Sequence, residues 1–291
     1  MEAEERLVQQ LGIPASLHTA AIDGTTVRYV HAGSGPPLVL LHGATVGWGQ
    51  WFPNIAFFAQ TFSVYALDLP GAGGSTSVDF FRADLEQNVV SVIARFLQTE
   101  GLGHATIIGH SWGAWIAVQL AGRSDLSLSR ILLICPVGFS SAMPWRYRLL
   151  SNRHIVHLLT RTVMRPTRKN MHTFLQSVLA APREIPDALA QLMSEHIAAA
   201  PERHPFFLIH RMSDFFSVRK EFLFEKGKNR VACPMLVVTG EKDSLVGQLD
   251  EANIRTLFPQ ANLVCLSNTG HVPALENPAA FHALVSPFLG S

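Results

Sequence analysis

The chain has 291 residues, 48% of them hydrophobic, and 23 Lys+Arg stand against 22 Asp+Glu for a formal net charge of +1. That composition supplies a sizeable core in one or two domains and points to a small-molecule substrate, with no nucleic acid partner. No apolar run approaches the ~18 residues of a membrane-spanning helix, and the opening Met1-Glu2-Ala3-Glu4-Glu5-Arg6 lacks the basic-then-apolar order of a signal peptide, so a cytoplasmic location is expected.

In chain order, residues 1–14 read as a short amphipathic helix that stops at Gly12 and Pro14. Leu17 to Ile22 and Thr26 to His31 read as two strands joined by an Asp23-Gly24 hairpin turn. Continuous apolar runs follow at Pro37 to Leu41, Phe62 to Leu67, Ala105 to Ile108, Ile131 to Ile134 and Met235 to Val238. Strands buried on both faces have this pattern. Helix-length stretches alternate with them at Trp48 to Gln60, Ala83 to Thr99, Trp112 to Gly122 and Gln248 to Phe258. Leu263 to Leu266 and a helix near Pro278 to Leu289 close the chain. The alternation predicts a mostly parallel sheet flanked by helices.

From Val137 to Arg230 no clean strand appears, while Arg148 to Met164 and Ile185 to Ala200 read as helices. An interval of that length is too long for a plain connection. It predicts a helical cap, residues 137–230, between two parts of one core, 1–136 and 231–291. Charge divides along the same boundary. The cap carries 15 basic against 7 acidic side chains, net +8, and the remainder 8 against 15, net −7. Mutual attraction between the two parts explains this asymmetry; so does recruitment of anionic substrates. The three cysteines, Cys135, Cys233 and Cys265, are widely spaced beside apolar runs and are expected as buried, reduced thiols.

Ser111 stands between a strand-like run and a helix-like run in Gly109-His110-Ser111-Trp112-Gly113. A strand that becomes a helix this quickly strains the turning residue and needs small neighbours. Ser111 is therefore either a nucleophile at the apex of a tight turn or the N-cap of the helix. A nucleophilic serine needs a general base, a carboxylate behind that base, and donors for the developing oxyanion. Candidates stand just past strand ends, where a parallel sheet forms its crevice. Asp243 follows the Met235 run and is the candidate acid, with a turn or N-cap role as its alternative. His271, in Thr269-Gly270-His271, follows the last strand and is the candidate base. After Leu41, the bend at Gly43 allows close backbone approach, and the Ala44 amide is one candidate donor. The Trp112 amide at the start of the helix is the other. His42 and His110 read as structural.

Gly109 to Gly113 matches the G-x-S-x-G nucleophile elbow, and the order Ser, Asp, His fits the same architecture. With His42-Gly43, the loop Asp68 to Ser75, Gly240 to Asp243 and Gly270-His271 in sequence, the chain resembles the α/β-hydrolase superfamily from about Val27 to Leu289. The resemblance implies an α/β-hydrolase fold: about eight strands, mostly parallel and flanked by helices, with a helical cap inserted after the sixth. It implies a serine hydrolase using Ser111, Asp243 and His271, with Ala44 and Trp112 as oxyanion donors and no metal or organic cofactor. A serine in the elbow argues against relatives that use a carboxylate nucleophile, such as haloalkane dehalogenases and soluble epoxide hydrolases. Carbon–carbon hydrolases of ring-fission products often carry a glycine-proline-glycine stretch after the His-Gly pair. Here Ala44-Thr45-Val46-Gly47-Trp48-Gly49 lacks the proline, although a basic cap suits their anionic substrates. A carboxylic ester of a fairly apolar small molecule is the expected substrate, with Gly43, Trp145 and Phe215 as expected binding residues and Trp112 a further candidate for the pocket wall. A ligand-binding receptor and a non-hydrolytic biosynthetic catalyst on the same scaffold are the alternatives. The oligomeric state stays open, a homodimer included.

Overall fold

The apolar runs fold as eight strands: β1 (Ala15–Ile22), β2 (Thr25–Ala32), β3 (Pro37–Leu41), β4 (Ser63–Leu67), β5 (Thr106–His110), β6 (Arg130–Ile134), β7 (Met235–Gly240) and β8 (Ala261–Leu266). In the computed structural model, which describes residues 2–44 and 46–290, they form one sheet in the order β1-β2-β4-β3-β5-β6-β7-β8. The β1–β2 hairpin pairs Ile22 with Thr25 across a two-residue turn in which Asp23 and Gly24 have φ of 48° and 81°, the conformation a twisted hairpin favours. β2 runs antiparallel to β4, and every later neighbour pair is parallel. The carboxyl ends of β3, β5, β7 and β8 therefore share one edge.

The helices are α1 (Glu2–Gln9), α2 (Phe52–Phe58), α3 (Ser91–Thr99), α4 (Trp112–Ala121), α5 (Trp145–Arg148), α6 (Arg153–Arg161), α7 (Arg168–Ser177), α8 (Asp187–Ala199), α9 (Pro205–Met212), α10 (Glu251–Leu257), α11 (Pro273–Glu276) and α12 (Pro278–Gly290). Side-chain alternation along the strands divides the core. Val39 and Leu41 of β3 join α3, α4 and α10 through Ile93, Ile116 and Ile254. Leu38 and Leu40 face the other way and join α1, α2 and α12 through Leu7, Ile55 and Phe281. Both faces are covered, which is why the parallel strands read as unbroken apolar runs.

Between β6 and β7 the described residues form α5 to α9 with two isolated bridges, Ala142 to Ser217 and Ser213 to Val218. Proline sets several starts here: Pro144 and Pro186 precede α5 and α8, and Pro205 opens α9. Three expectations need adjustment. α1 ends at Gln9 rather than running to residue 14, because Gly12 adopts a φ of 67°. The stretch expected as one helix from Ala83 begins with a wide π turn at Glu86–Val90 before α3. Of the three thiols only Cys135 is buried: Cys233 is half-buried, and Cys265 is exposed because β8 is the edge strand and turns one face to solvent.

Candidate active site

Ser111 occupies the one-residue junction between β5 and α4 with φ 52° and ψ −109°. A non-glycine residue with this backbone is strained by ~1–3 kcal/mol and persists only where its surroundings fix it. Its amide donates to the Ile134 carbonyl at 2.8 Å. The flanking glycines are required by contact. A Cβ on Gly109 would lie 2.4 Å from the Gly113 carbonyl oxygen, and one on Gly113 would lie 2.4 Å from that of Leu41. Although Ser111 holds the N-cap position, its side chain makes no capping hydrogen bond. The hydroxyl is therefore not spent on the helix.

Asp243 and His271 meet. His271 Nδ1 lies 2.9 Å from Asp243 Oδ2, and both side chains are buried. Asp243 also performs the turn role considered for it, since Oδ1 accepts from the Leu245 and Val246 amides at 2.8 and 3.1 Å. Burial alone pushes this carboxyl up, but the facing imidazole and the two amides outweigh it and hold it down at about 2. A carboxylate partner places the proton of His271 on Nδ1 and leaves Nε2 as a base.

The loop that carries His271 is held from three sides. Glu276 at the end of α11 accepts from the Gly270 amide at 2.8 Å and from Ala180 at 2.8 Å. The His271 amide donates to the Val178 carbonyl at 3.0 Å, so residues 178–180, which follow α7, are bonded directly to this loop. His110 Nε2 lies 2.7 Å from the His271 carbonyl and donates to it. Burial pushes the His110 imidazole down to about 3, so it is neutral and structural.

On the opposite side, His42 Nε2 accepts from the Leu69 amide at 2.9 Å, and Nδ1 donates to the Gly43 carbonyl. Both nitrogens are committed, and burial pushes the ring down to about 4, which fits a brace and not a base. Asp68 ties the same region to the glycine-rich loop by accepting from the Trp48 and Gly74 amides, each at 2.7 Å; burial pushes its carboxyl up to about 7. Gln50, a residue with no role in the sequence reading, accepts from the Gly43 amide at 3.0 Å through Oε1. Its Nε2 is buried without a partner. Thr45 lies outside the described residues.

One cavity of about 120 Å³ gathers Gly43, Ala44, Gln50, Ser111 and His271 along its wall. His110 and Ser140 also reach it, and the rest is mostly apolar: Val137, Met143, Pro144, Tyr147, Phe174, Leu175, Ile209, Met212, Val218 and Leu275 are among the residues that complete it. No Lys, Arg, Asp or Glu lines it among the described residues. Of the expected binding residues, Gly43 is on the wall. Trp145 and Phe215 are not: they are 79% and 51% exposed. Pro144 starts the four-residue α5 so that Tyr147 turns inward and Trp145 outward. Phe215 sits on a turn fixed by Asp214, whose carboxylate accepts from the Phe216 and Ser217 amides. The Trp112 side chain is also off the wall, stacked on Trp115 at 4.9 Å and packed against Phe222.

Cys135, Asp243 and His271 present ligand atoms within 4.8 Å of one another. Burial pushes the Cys135 thiol well up, and Asp243 and His271 are already bonded to each other. A protonated thiol beside a pair already bonded to each other is a poor set of cation ligands.

The chain is 28% identical over 279 residues to a dihydrolipoyllysine-residue acetyltransferase component of an acetoin cleaving system from Cupriavidus necator, covering 95% of this chain and 70% of that one. It is 26% identical to a pimeloyl-[acyl-carrier protein] methyl ester esterase from Nitrosospira multiformis over 91% of this chain and 99% of that one. The solved structure of a 2-hydroxy-6-oxo-6-phenylhexa-2,4-dienoate hydrolase from Rhodococcus superposes with a TM-score of 0.77 at 20% identity, covering 96% of this chain and 100% of that one. The sequence pattern of the alpha/beta hydrolase family matches residues 38–284. With its eight-stranded, mostly parallel sheet and flanking helices, this chain belongs to the alpha/beta hydrolase family.

Proposed function

We propose that the protein is a serine hydrolase that cleaves a carboxylic ester of a neutral, fairly apolar small molecule. The observation that carries this reading is the cavity itself. A strained, uncapped serine and a carboxylate-backed histidine open onto one wall, and the remainder is mostly apolar, with no Lys, Arg, Asp or Glu among the described residues. In this scheme the Ser111 hydroxyl attacks the ester carbonyl as His271 Nε2 takes its proton. The Asp243 carboxylate holds the ring and stabilises the imidazolium. The amides of Ala44 and Trp112 receive the oxyanion, Trp112 from the positive end of α4. The alcohol leaves with the proton from His271, giving acyl-Ser111. Water, deprotonated by His271, then cleaves that ester and releases the acid. No step calls for a metal or organic cofactor. Residues 137–230 act as a cap that supplies much of the apolar wall.

An ester rather than an anionic ring-fission ketone is favoured because no Lys or Arg among the described residues reaches the cavity wall; an anion there would be desolvated without a partner. The carbon–carbon hydrolases among the solved structures share the fold. The test compares wild type with Ser111→Ala on short p-nitrophenyl esters. Loss of turnover by about 10⁴-fold or more is expected. Equal rates in the two proteins would end the proposal.

A further inference from the structure

Six of the seven large hydrophobic side chains that stand exposed among the described residues lie between β6 and β7: Trp145, Leu149, Leu158, Val163, Phe215 and Phe216. Trp145 and Phe216 are 79% and 73% exposed. The same interval, residues 137–230, holds 15 of the 23 Lys+Arg and a net charge of +8. Among the described residues none of these cations lines the cavity, so the active site leaves most of this charge without a role. Exposed single hydrophobic residues are ordinary, but their confinement to one strongly basic segment is not.

We propose that the outer face of this segment docks on an anionic lipid surface, with the exposed rings and aliphatic side chains inserted at the headgroup–acyl boundary and the surrounding cations on lipid phosphates. The Ala142 to Ser217 bridge, with the Val218 amide on the Ser141 carbonyl at 3.0 Å, carries the Trp145 and Phe215–Phe216 turns side by side. α6 buries Val156 and turns Leu158 outward, with Arg153, His154 and Arg161 exposed on the same helix. Beside α6 lies an open groove lined by Arg82, Arg153, Arg161 and Arg165, with Asp79 and Glu202 as the acids among the described residues. Exposed aromatic and aliphatic knobs in a segment rich in arginine are the composition of interfacial segments.

A lipid surface fits better than a protein partner. The knobs project from turns and a helix, and hot spots between proteins are central side chains seated in packed pockets. A second copy applied face to face would set one basic segment against another. The acids closest in sequence to the Phe215–Phe216 turn are Asp214, whose carboxylate is bound back onto the Phe216 and Ser217 amides, and Glu221, paired with Arg211. The two turns also form part of the cavity wall: Met143, Pro144, Tyr147 and Val218 face inward where Trp145 and Phe216 face outward. Docking therefore brings the cavity wall against the membrane.

The experiment is co-sedimentation of the full chain with phosphatidylcholine vesicles, with and without phosphatidylglycerol. Binding to the anionic vesicles is expected to exceed binding to neutral ones by about tenfold or more. Raising salt from ~0.1 to ~1 M, which shortens the screening length from about 10 to about 3 Å, should weaken it. Replacing two exposed residues, Leu158→Ser with Phe216→Ser, should lower binding by about tenfold and leave folding and hydrolysis of soluble esters unchanged. Ser111→Ala should bind as wild type does, so a failure of the ester reading and a failure of docking are separable. No preference for anionic vesicles, or binding unaffected by the double variant, overturns the proposal. A dimer in sedimentation equilibrium that the double variant abolishes, with vesicles left unbound, assigns the face to a second copy and overturns it as well.

Discussion

Gly113→Ala probes how the turn at Ser111, the proposed nucleophile, is held. The added Cβ would sit 2.4 Å from the Leu41 oxygen, 2.6 Å from the His42 oxygen and 2.7 Å from the Leu41 carbonyl carbon. Ordinary contact begins at 3.4 Å, so roughly 1 Å is missing on a side where every neighbour is backbone. No rotamer relieves this. β3 is pinned between β4 and β5, so the first turn of α4 must retreat, taking the Ser111 backbone and the Trp112 amide away from Ala44. Overpacking of this kind costs about 1–3 kcal/mol, and the rigidity of both partners argues for the upper end. A 1 Å displacement of catalytic groups costs about 10²-fold in rate. Urea denaturation gives the first quantity and kcat/KM on a p-nitrophenyl ester the second. Gly103→Ala is the control: its Cβ meets nothing closer than Leu126 Cδ2 at 3.8 Å, and it should be neutral in both. Gly113→Ala with wild-type stability and a rate within about twofold would refute the steric reasoning.

Asp243→Asn keeps the shape of the acid but removes the charge behind His271, and turnover should fall by about 10⁴-fold with the fold intact by circular dichroism. Gln50→Ala frees the Gly43 amide on the proposed oxyanion side; kcat on a p-nitrophenyl ester should fall by about tenfold or more while KM changes little. Burial holds the folded His42 ring near 4, against 6.5 as its ordinary value. Below that ordinary value the unfolded chain takes up a proton that the folded chain refuses, so stability is full above it and is lost as pH falls toward 4. Urea titrations near pH 7 and pH 4 should show wild type losing about 3 kcal/mol more than His42→Gln over that interval.

The strands were legible because parallel strands buried on both faces leave unbroken apolar runs, and Pro37 to Leu41 is an example that matches β3 residue for residue. Asp243 and His271 were legible because both follow strand ends at the same edge, and they lie 2.9 Å apart. The bracing was not. Glu276 follows His271 by five residues in Val-Pro-Ala-Leu-Glu, and nothing local distinguishes a carboxylate folded back onto the Gly270 amide from a surface charge. Gln50 lies between Gly49 and Trp51 in what reads as ordinary helix, and only the chain's return at β5 shows that it faces the cavity. Trp145 and Phe215 mislead for the opposite reason. Aromatic composition suggests a pocket lining, but which side of a four-residue helix or a turn faces inward depends on contacts remote in sequence, here the Ala142 to Ser217 bridge.

The covalent step is the most direct test of the chemistry proposed for Ser111. Wild type is mixed with a slowly deacylating p-nitrophenyl ester, the first turnover is followed by p-nitrophenolate release, and the quenched protein is mapped by peptide mass spectrometry. Serine acylation predicts a burst equal to the enzyme concentration and the acyl mass on the peptide containing Ser111. Steady turnover with no burst and no adduct, matched by undiminished turnover in Ser111→Ala, would contradict it.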